Sequence, residues 1–252
     1  MLELQQVTRR FGGHVAVRDV SFRVAAGSLT GLIGPNGAGK STLFNLIAGA
    51  LAPTSGRILL EGRRLDGEPP HRVLARGVAR TFQVPRPFPA LTVLENVMLA
   101  ARAQLGERFW TNWTRPAAVA REERRHRERA RALLDFLGLG THEGQPARVL
   151  SGGQRKLLEL GRALMTEPRC LLLDEPAAGV SPALLELVVD RLRALHRQGV
   201  TLLVVEHNLD VVMALCRPVL VMAGGALLAA GEPDAVRTDP RVVEAYLGGV
   251  PA

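Results

Sequence analysis

The stretch GLIGPNGAGKSTLFNLIAGA, residues 31–50, carries three kinds of sequence in succession. An apolar run reads as the end of a buried strand. A glycine-rich loop follows, and then apolar residues at helical spacing, Leu43, Phe44, Leu46 and Ile47. Within it, GPNGAGKST (34–42) fits the phosphate-loop pattern G-x-x-x-x-G-K-[ST] in full. Gly34, Gly37 and Gly39, with Asn36 between them, let backbone N–H groups converge on phosphate oxygens. The helix that opens at the loop adds partial positive charge. Lys40 is placed to reach the β- and γ-phosphates, Ser41 to ligate Mg²⁺, and Thr42 to complete the cradle. The loop thus points to a nucleoside triphosphate with Mg²⁺ and to an α/β fold around a parallel sheet.

Of the 32 basic residues 30 are Arg, and Lys occurs only at 40 and 156. A lysine at the phosphate loop of so arginine-rich a chain argues for a specific need there, a compact charge on a flexible stem. The chain has 252 residues, 47% of them hydrophobic, enough for a sizeable core. Its net charge is +8, but aromatics make up only 4% and do not interleave with the arginines. Nucleic acid is therefore not expected as a partner. The densest basic run, REERRHRERAR (121–131), mixes six Arg with three Glu and reads as a solvated helix face, with a surface for anionic lipid or a partner as the alternative. The apolar runs fall short of the ~20 residues of a membrane span. The run MLELQQVTRRF carries no basic segment followed by an apolar one, so no signal peptide is expected. Cys170 and Cys216 form no metal or disulfide spacing and read as reduced packing thiols.

Short β-like runs open the chain (LELQQVTRRF, VRDVSFRV, SLTGLIG) and read as antiparallel. The helix after the phosphate loop is expected to end at Pro53 and Gly56, and GRILLEG to return as a strand. From Thr92 the pattern turns helical. TVLENVMLAARAQL starts with a capping box, Thr92 with Glu95, and a second helix runs through the Arg/Glu stretch. A third begins after Ser151, with Leu157, Leu160 and Leu164 on one face. Strand–helix–strand patterning follows: CLLLDE, PALLELVVDRLRALHRQG and TLLVVEHN. A hairpin turning at Gly224–Gly225 comes after it.

Asp174 and Glu175 stand at the end of the buried run CLLLDEP. Beside a phosphate loop they read as a Mg²⁺ ligand and a general base for the attacking water. A second glycine stretch, LSGGQ (150–154), precedes the third helix. With it the order of motifs (phosphate loop, Gln83, LSGGQ, carboxylate pair, His207) resembles that of the ATP-binding-cassette (ABC) ATPases over essentially the whole chain.

That resemblance implies a nucleotide-binding domain with a phosphate-loop NTPase core, an N-terminal antiparallel β-subdomain and a helical subdomain insertion. One domain is expected over 1–252, with the core and β-subdomain in 1–82 and 167–252 and the helical subdomain in 83–166. It further implies that Phe11 stacks on adenine and that Gln83 contacts Mg²⁺ and water. His207 would contact the γ-phosphate and order the water. Ser151, Gly152, Gly153 and Gln154 would close over ATP held by an opposite subunit. RFGGHVAV, ARTFQ, LTVLENV and EAYLGG are similar to the ATP-binding subunit of branched-chain amino acid importers. Permease subunits, a second cassette and, indirectly, a periplasmic solute-binding protein are then the expected partners, with the chain peripheral on the cytoplasmic face of the inner membrane. Another cargo (urea, a different solute, lipopolysaccharide) and a non-transport ABC protein stay open. Ser181, in AAGVSP, stands where many members have Asp and this subgroup Asn, and Gly161 where it has Ala.

Overall fold

The computed structural model describes residues 1–247 apart from 103 and 106–108, and omits the side chains of 109, 111 and 112. Ala103 of the run read as helical, and Gly248 and Gly249 of EAYLGG, lie outside the described residues. The chain forms two compact units: Met1–Gln83 with Arg169–Ala178 and Leu192–Ala252, and Val84–Pro168 with Gly179–Arg191.

The first unit opens with β1 (Leu2–Phe11) and β2 (His14–Val24). Alternation sets their inner face: Leu2, Leu4 and Val7 from β1 and Val17, Val20 and Val24 from β2 are buried. Each such side chain contributes about 1.5–3 kcal/mol on burial. The run SLTGLIG does not join this antiparallel pair. It becomes β3 (Leu29–Ile33), every residue of which is buried, and pairs in parallel within a second sheet. α1 (Lys40–Ile47) follows the phosphate loop and stops well before Pro53, where the sequence pattern had extended it. The stop is Gly49, at φ +75, where an added Cβ would strike the Glu68 carbonyl oxygen. β4 (Ser55–Leu60) and β5 (Arg63–Arg64) return to the first sheet, giving the order β2-β1-β4-β5. α2 (Pro70–Ala75) and β6 (Val78–Arg80), neither foreseen, come next.

The second unit holds α3 (Val93–Met98), α4 (Phe109–Thr114), α5 (Pro116–Phe136) and α6 (Gly152–Met165). The Thr92–Glu95 capping box is present. α3 ends at Met98 rather than running on to 105, and the Gln104 side chain donates to the freed Ala101 carbonyl at 3.2 Å. Asn96 is fully buried. It accepts from the Phe88 N–H at 2.8 Å and donates to the Thr92 carbonyl at 2.9 Å, fastening the Pro-rich segment to α3. Gly161 lets α6 approach closely: a Cβ there would lie 2.9 Å from Leu137 Cδ1 and 3.5 Å from Val97 Cγ2.

β7 (Cys170–Asp174), α7 (Pro182–Arg197), β8 (Thr201–Val205), α8 (Leu209–Leu215), β9 (Val219–Ala223), β10 (Ala226–Gly231), α9 (Pro233–Thr238) and α10 (Pro240–Leu247) complete the chain. The second sheet has the order β10-β9-β3-β8-β7-β6, parallel except for the β9–β10 hairpin. Phe44 of α1 is buried in one cluster with Leu32, Leu172, Leu203 and Leu220 of the sheet. The expected α/β class, with an antiparallel sheet and a mostly parallel one, is what the chain adopts.

The boundary of the helical unit differs from 83–166. Residues 179–191 belong to it as well, because Leu184 and Val180 pack over Gly153 and Leu187 reaches Gly138. Gln83 falls in the first unit.

Candidate active site

β3 delivers the chain to the loop at Gly34, where φ is +152 and a side chain would collide with the Met222 carbonyl oxygen. Gly39, at φ +93, caps α1 and presses against the Ala16 carbonyl oxygen in the same way. Both glycines are therefore demanded by close backbone approach and by left-handed dihedrals. Around the loop lies a cavity of about 410 Å³ lined by His14, Ala16, Asn36 to Thr42, Gln83, Glu175 and His207. Asn36, Gly37, Gly39, Lys40, Ser41, Thr42, Gln83, Glu175 and His207 are thus brought together, and Gly34 supports the loop from beneath.

Lys40 is buried, and its ammonium donates to the Gly34 carbonyl at 2.6 Å and the Pro35 carbonyl at 3.0 Å. Burial pushes its pKa down, while the charges of Glu175 and Asp174 pull it up. Glu175 stands just past β7 at φ +49, an uncommon backbone conformation for a residue with a side chain. Its N–H donates to the Val205 carbonyl at 2.9 Å. Its carboxylate is held from two sides: Gln83 Nε2 donates to Oε2 at 2.8 Å, and His207 Nε2 lies 2.8 Å from Oε1. Asp174, also buried, closes β7, with Oδ2 accepting from Arg80 Nη2 at 2.8 Å.

Phe11 sits at the β1–β2 hairpin, 45% exposed, and does not line the cavity. One face of its ring is covered by the Arg9 guanidinium, 4.7 Å from the centroid. Ser151, Gly152, Gly153 and Gln154 lie in the second unit at the head of α6. There Ser151 Oγ accepts from the Gln154 N–H at 3.2 Å, and Gln154 Oε1 accepts from the Ser151 N–H at 2.9 Å, a reciprocal cap. Ser181 supplies the carbonyl that receives the Leu185 N–H at the start of α7.

Sequence reasoning missed four neighbours. His14 lines the cavity. Arg80 grips Asp174. Tyr246 of α10 meets the backbone of Gly34, and burial raises its phenol pKa. Glu206 is buried, accepts from the Ala177 N–H at 2.5 Å and from the His207 N–H at 3.2 Å, and so ties the turn after Glu175 to the histidine. A glutamate closing the apolar run TLLVVE was the visible signal for the last of these.

The ABC transporter family model matches residues 17–178. This chain belongs to the ABC transporter family. It is an ATP-binding cassette, a nucleotide-binding ATPase. A second family model, that of the branched-chain amino acid ATP-binding cassette transporter, matches residues 226–252 of the cassette. The cassette is 39% identical to the probable branched-chain amino acid transport ATP-binding protein LivG of Archaeoglobus fulgidus, covering 98% of this chain and 95% of that one. It is likewise 39% identical to the high-affinity branched-chain amino acid transport ATP-binding protein BraF of Pseudomonas aeruginosa, with 98% of each covered. Among solved structures, a nucleotide-free ATP-binding cassette from an ABC transporter superposes with a TM-score of 0.84 at 37% identity, covering 98% of this chain and 99% of that one. The ADP conformation of a cassette superposes with a TM-score of 0.83 at 37% identity and 98% coverage of both. Among the described residues of the cassette, no helix is long and apolar enough to cross a membrane.

Proposed function

We propose that this cassette hydrolyses ATP to drive import of branched-chain or related amino acids through separate permease subunits. It would lie peripherally on the cytoplasmic face of the membrane, with a periplasmic solute-binding protein supplying cargo. The observation that carries the chemistry is the Glu175 carboxylate, held between Gln83 and His207 at the wall of the phosphate-loop cavity. Support for the cargo comes from the near full-length similarity to proteins named for branched-chain amino acid transport, and from the match at 226–252.

Backbone N–H groups of residues 36–42 cradle the phosphates, with Lys40 as counter-charge. Glu175 takes the proton of a water whose oxygen attacks the γ-phosphorus. The bond from that phosphorus to the bridging oxygen breaks, and ADP leaves with the electron pair. His207 and Gln83 hold the base in place and report the γ-phosphate. Phe11 offers its ring to adenine on the face opposite Arg9.

Among the described residues no group of three or more His, Cys, Asp or Glu could hold a metal alone. The Ser41 hydroxyl, Gln83 amide oxygen and Asp174 carboxylate are hard oxygen donors. They fit Mg²⁺, which keeps several waters and is held jointly with nucleotide phosphates. Bound there, Mg²⁺ would neutralise charge on the phosphates. Ser151, Gly152, Gly153 and Gln154 would close over ATP bound to a second cassette, so that hydrolysis needs a pair.

The test is uptake by cells lacking this chain, with and without it restored. Leucine, isoleucine and valine uptake should fall at least ~10-fold and return with the restored gene, but not with a Glu175→Gln copy. Unchanged uptake of all three, with loss of another solute, overturns the cargo.

A further inference from the structure

Arg80 ends β6, and its guanidinium is mostly buried, with a side chain 13% exposed. Nη2 donates to Asp174 Oδ2 at 2.8 Å and Nη1 donates to Asn45 Oδ1 at 2.5 Å. Its Cζ stands 5.7 Å from the ring centroids of both Phe44 and Phe82. Nε is buried and makes no hydrogen bond. A buried ion pair with an orphaned donor is a poor device for stability, because desolvation of both charges offsets their attraction. Its placement suits another task. Phe44 and Asn45 belong to α1, the helix that carries Ser41. Phe82 precedes Gln83. Asp174 is the buried carboxylate closing β7.

We propose that Arg80 is a positioning residue that fixes the Asp174 carboxylate for the Mg²⁺–nucleotide. This rests on the assignment of Asp174 to Mg²⁺ made above. A guanidinium is a planar fork, so two bonds to separate acceptors fix its plane, and the two rings hold it from the sides. One oxygen of Asp174 is thereby committed to Arg80. Oδ1 makes no hydrogen bond to the described residues and is left to serve the metal or its water. The same guanidinium joins α1, β7 and the approach to Gln83, so the three groups assigned to Mg²⁺ share one anchor. Partners of this kind, behind a metal ligand, typically govern 10–100-fold of metal affinity.

The experiment measures ATP affinity by titration of a fluorescent ATP analogue, with Mg²⁺ and with chelator, on wild type, Arg80→Met, Arg80→Lys, Asn45→Ala and Asp174→Asn. Thermal melting is recorded for each. Wild type should bind more tightly with Mg²⁺, and Asp174→Asn should lose that gain. Arg80→Met should lose ~10-fold or more of it while affinity in chelator stays within ~2-fold, and Asn45→Ala should lose part of it. Arg80→Lys keeps the charge but not the fork, and should fall between wild type and Arg80→Met. If Arg80→Met does not fold, the Lys variant decides. An undiminished Mg²⁺ gain in folded Arg80 variants, alongside its loss in Asp174→Asn, overturns the role of Arg80. A larger gain does so too, since it would make Arg80 a competitor of the metal. If Asp174→Asn retains the full gain, the assignment of Asp174 fails first.

Discussion

His207 Nε2 lies 2.8 Å from Oε1 of Glu175, while Gln83 occupies Oε2 at the same distance. Each oxygen of the base thus has its own partner, from a different segment of the chain. The side chain of Glu175 is 12% exposed and that of His207 45%, so the histidine forms the solvent side of the clamp. Glu175→Gln keeps the shape and removes the proton acceptor. Turnover should fall by about 10²–10⁴-fold, with ATP affinity retained. His207→Ala removes one of the two partners described for the base and should cut turnover by a smaller factor. Single-turnover rates beside equilibrium titrations separate the two. Glu175→Gln turnover within a few-fold of wild type would remove Glu175 from the role of general base.

Ser151 has one duty in this structure and a second in the proposed pairing. Its hydroxyl caps α6, and the proposed pairing turns the same hydroxyl toward a partner's ATP. Ser151→Ala should lower stability by about 1 kcal/mol through loss of the cap. Ser151→Arg should do the same, leave ATP binding by the isolated chain intact, and abolish hydrolysis by the pair through bulk at the shared site. Ser151→Asp restores a capping oxygen and should recover the melting temperature but not hydrolysis. Recovered hydrolysis in that variant would reduce Ser151 to a cap.

What could be read from the sequence was what its chemistry writes in consecutive residues. The phosphate loop needs glycines at fixed intervals before a helix, and the capping box at Thr92 needs its partner three residues on. Arg80 was invisible because nothing near 80 says that a strand-end arginine will meet Asp174 from 94 residues away. Residues 179–191 were misplaced for a related reason. The helical period of α7 is continuous, and only the packing of Leu184 and Leu187 against glycines of the helical unit reveals where its first half belongs. The early end of α1 depended on Gly49, whose effect is tertiary, since a side chain there would strike the Glu68 carbonyl oxygen.

Cys170 and Cys216 are both buried and free, and burial pushes each thiol up to about 12. The thiolate is the reactive form, so at neutral pH both should be inert. A maleimide probe should label neither within an hour in the native protein and both promptly in denaturant. ATP should slow any labelling that follows local opening. Rapid labelling of native protein would show that β7 or the segment after α8 opens readily.

Lys40 carries the pH dependence with the clearest sign. Burial lowers its pKa below the ordinary lysine value, so in the window between the two the unfolded chain binds more protons than the folded one. The contribution of this group to stability therefore rises with pH across that window and is lost as pH falls through the lowered value. Phosphates placed beside the ammonium favour its charged form and raise the pKa again. ATP binding should accordingly take up protons in the window just below the ordinary lysine value. Titration calorimetry in two buffers of different ionisation enthalpy reads the uptake directly. Lys40→Arg keeps a charge that does not titrate and should abolish the uptake even where binding persists. Alkaline uptake that survives in Lys40→Arg, or is absent from wild type, would remove Lys40 as the group that meets the phosphates.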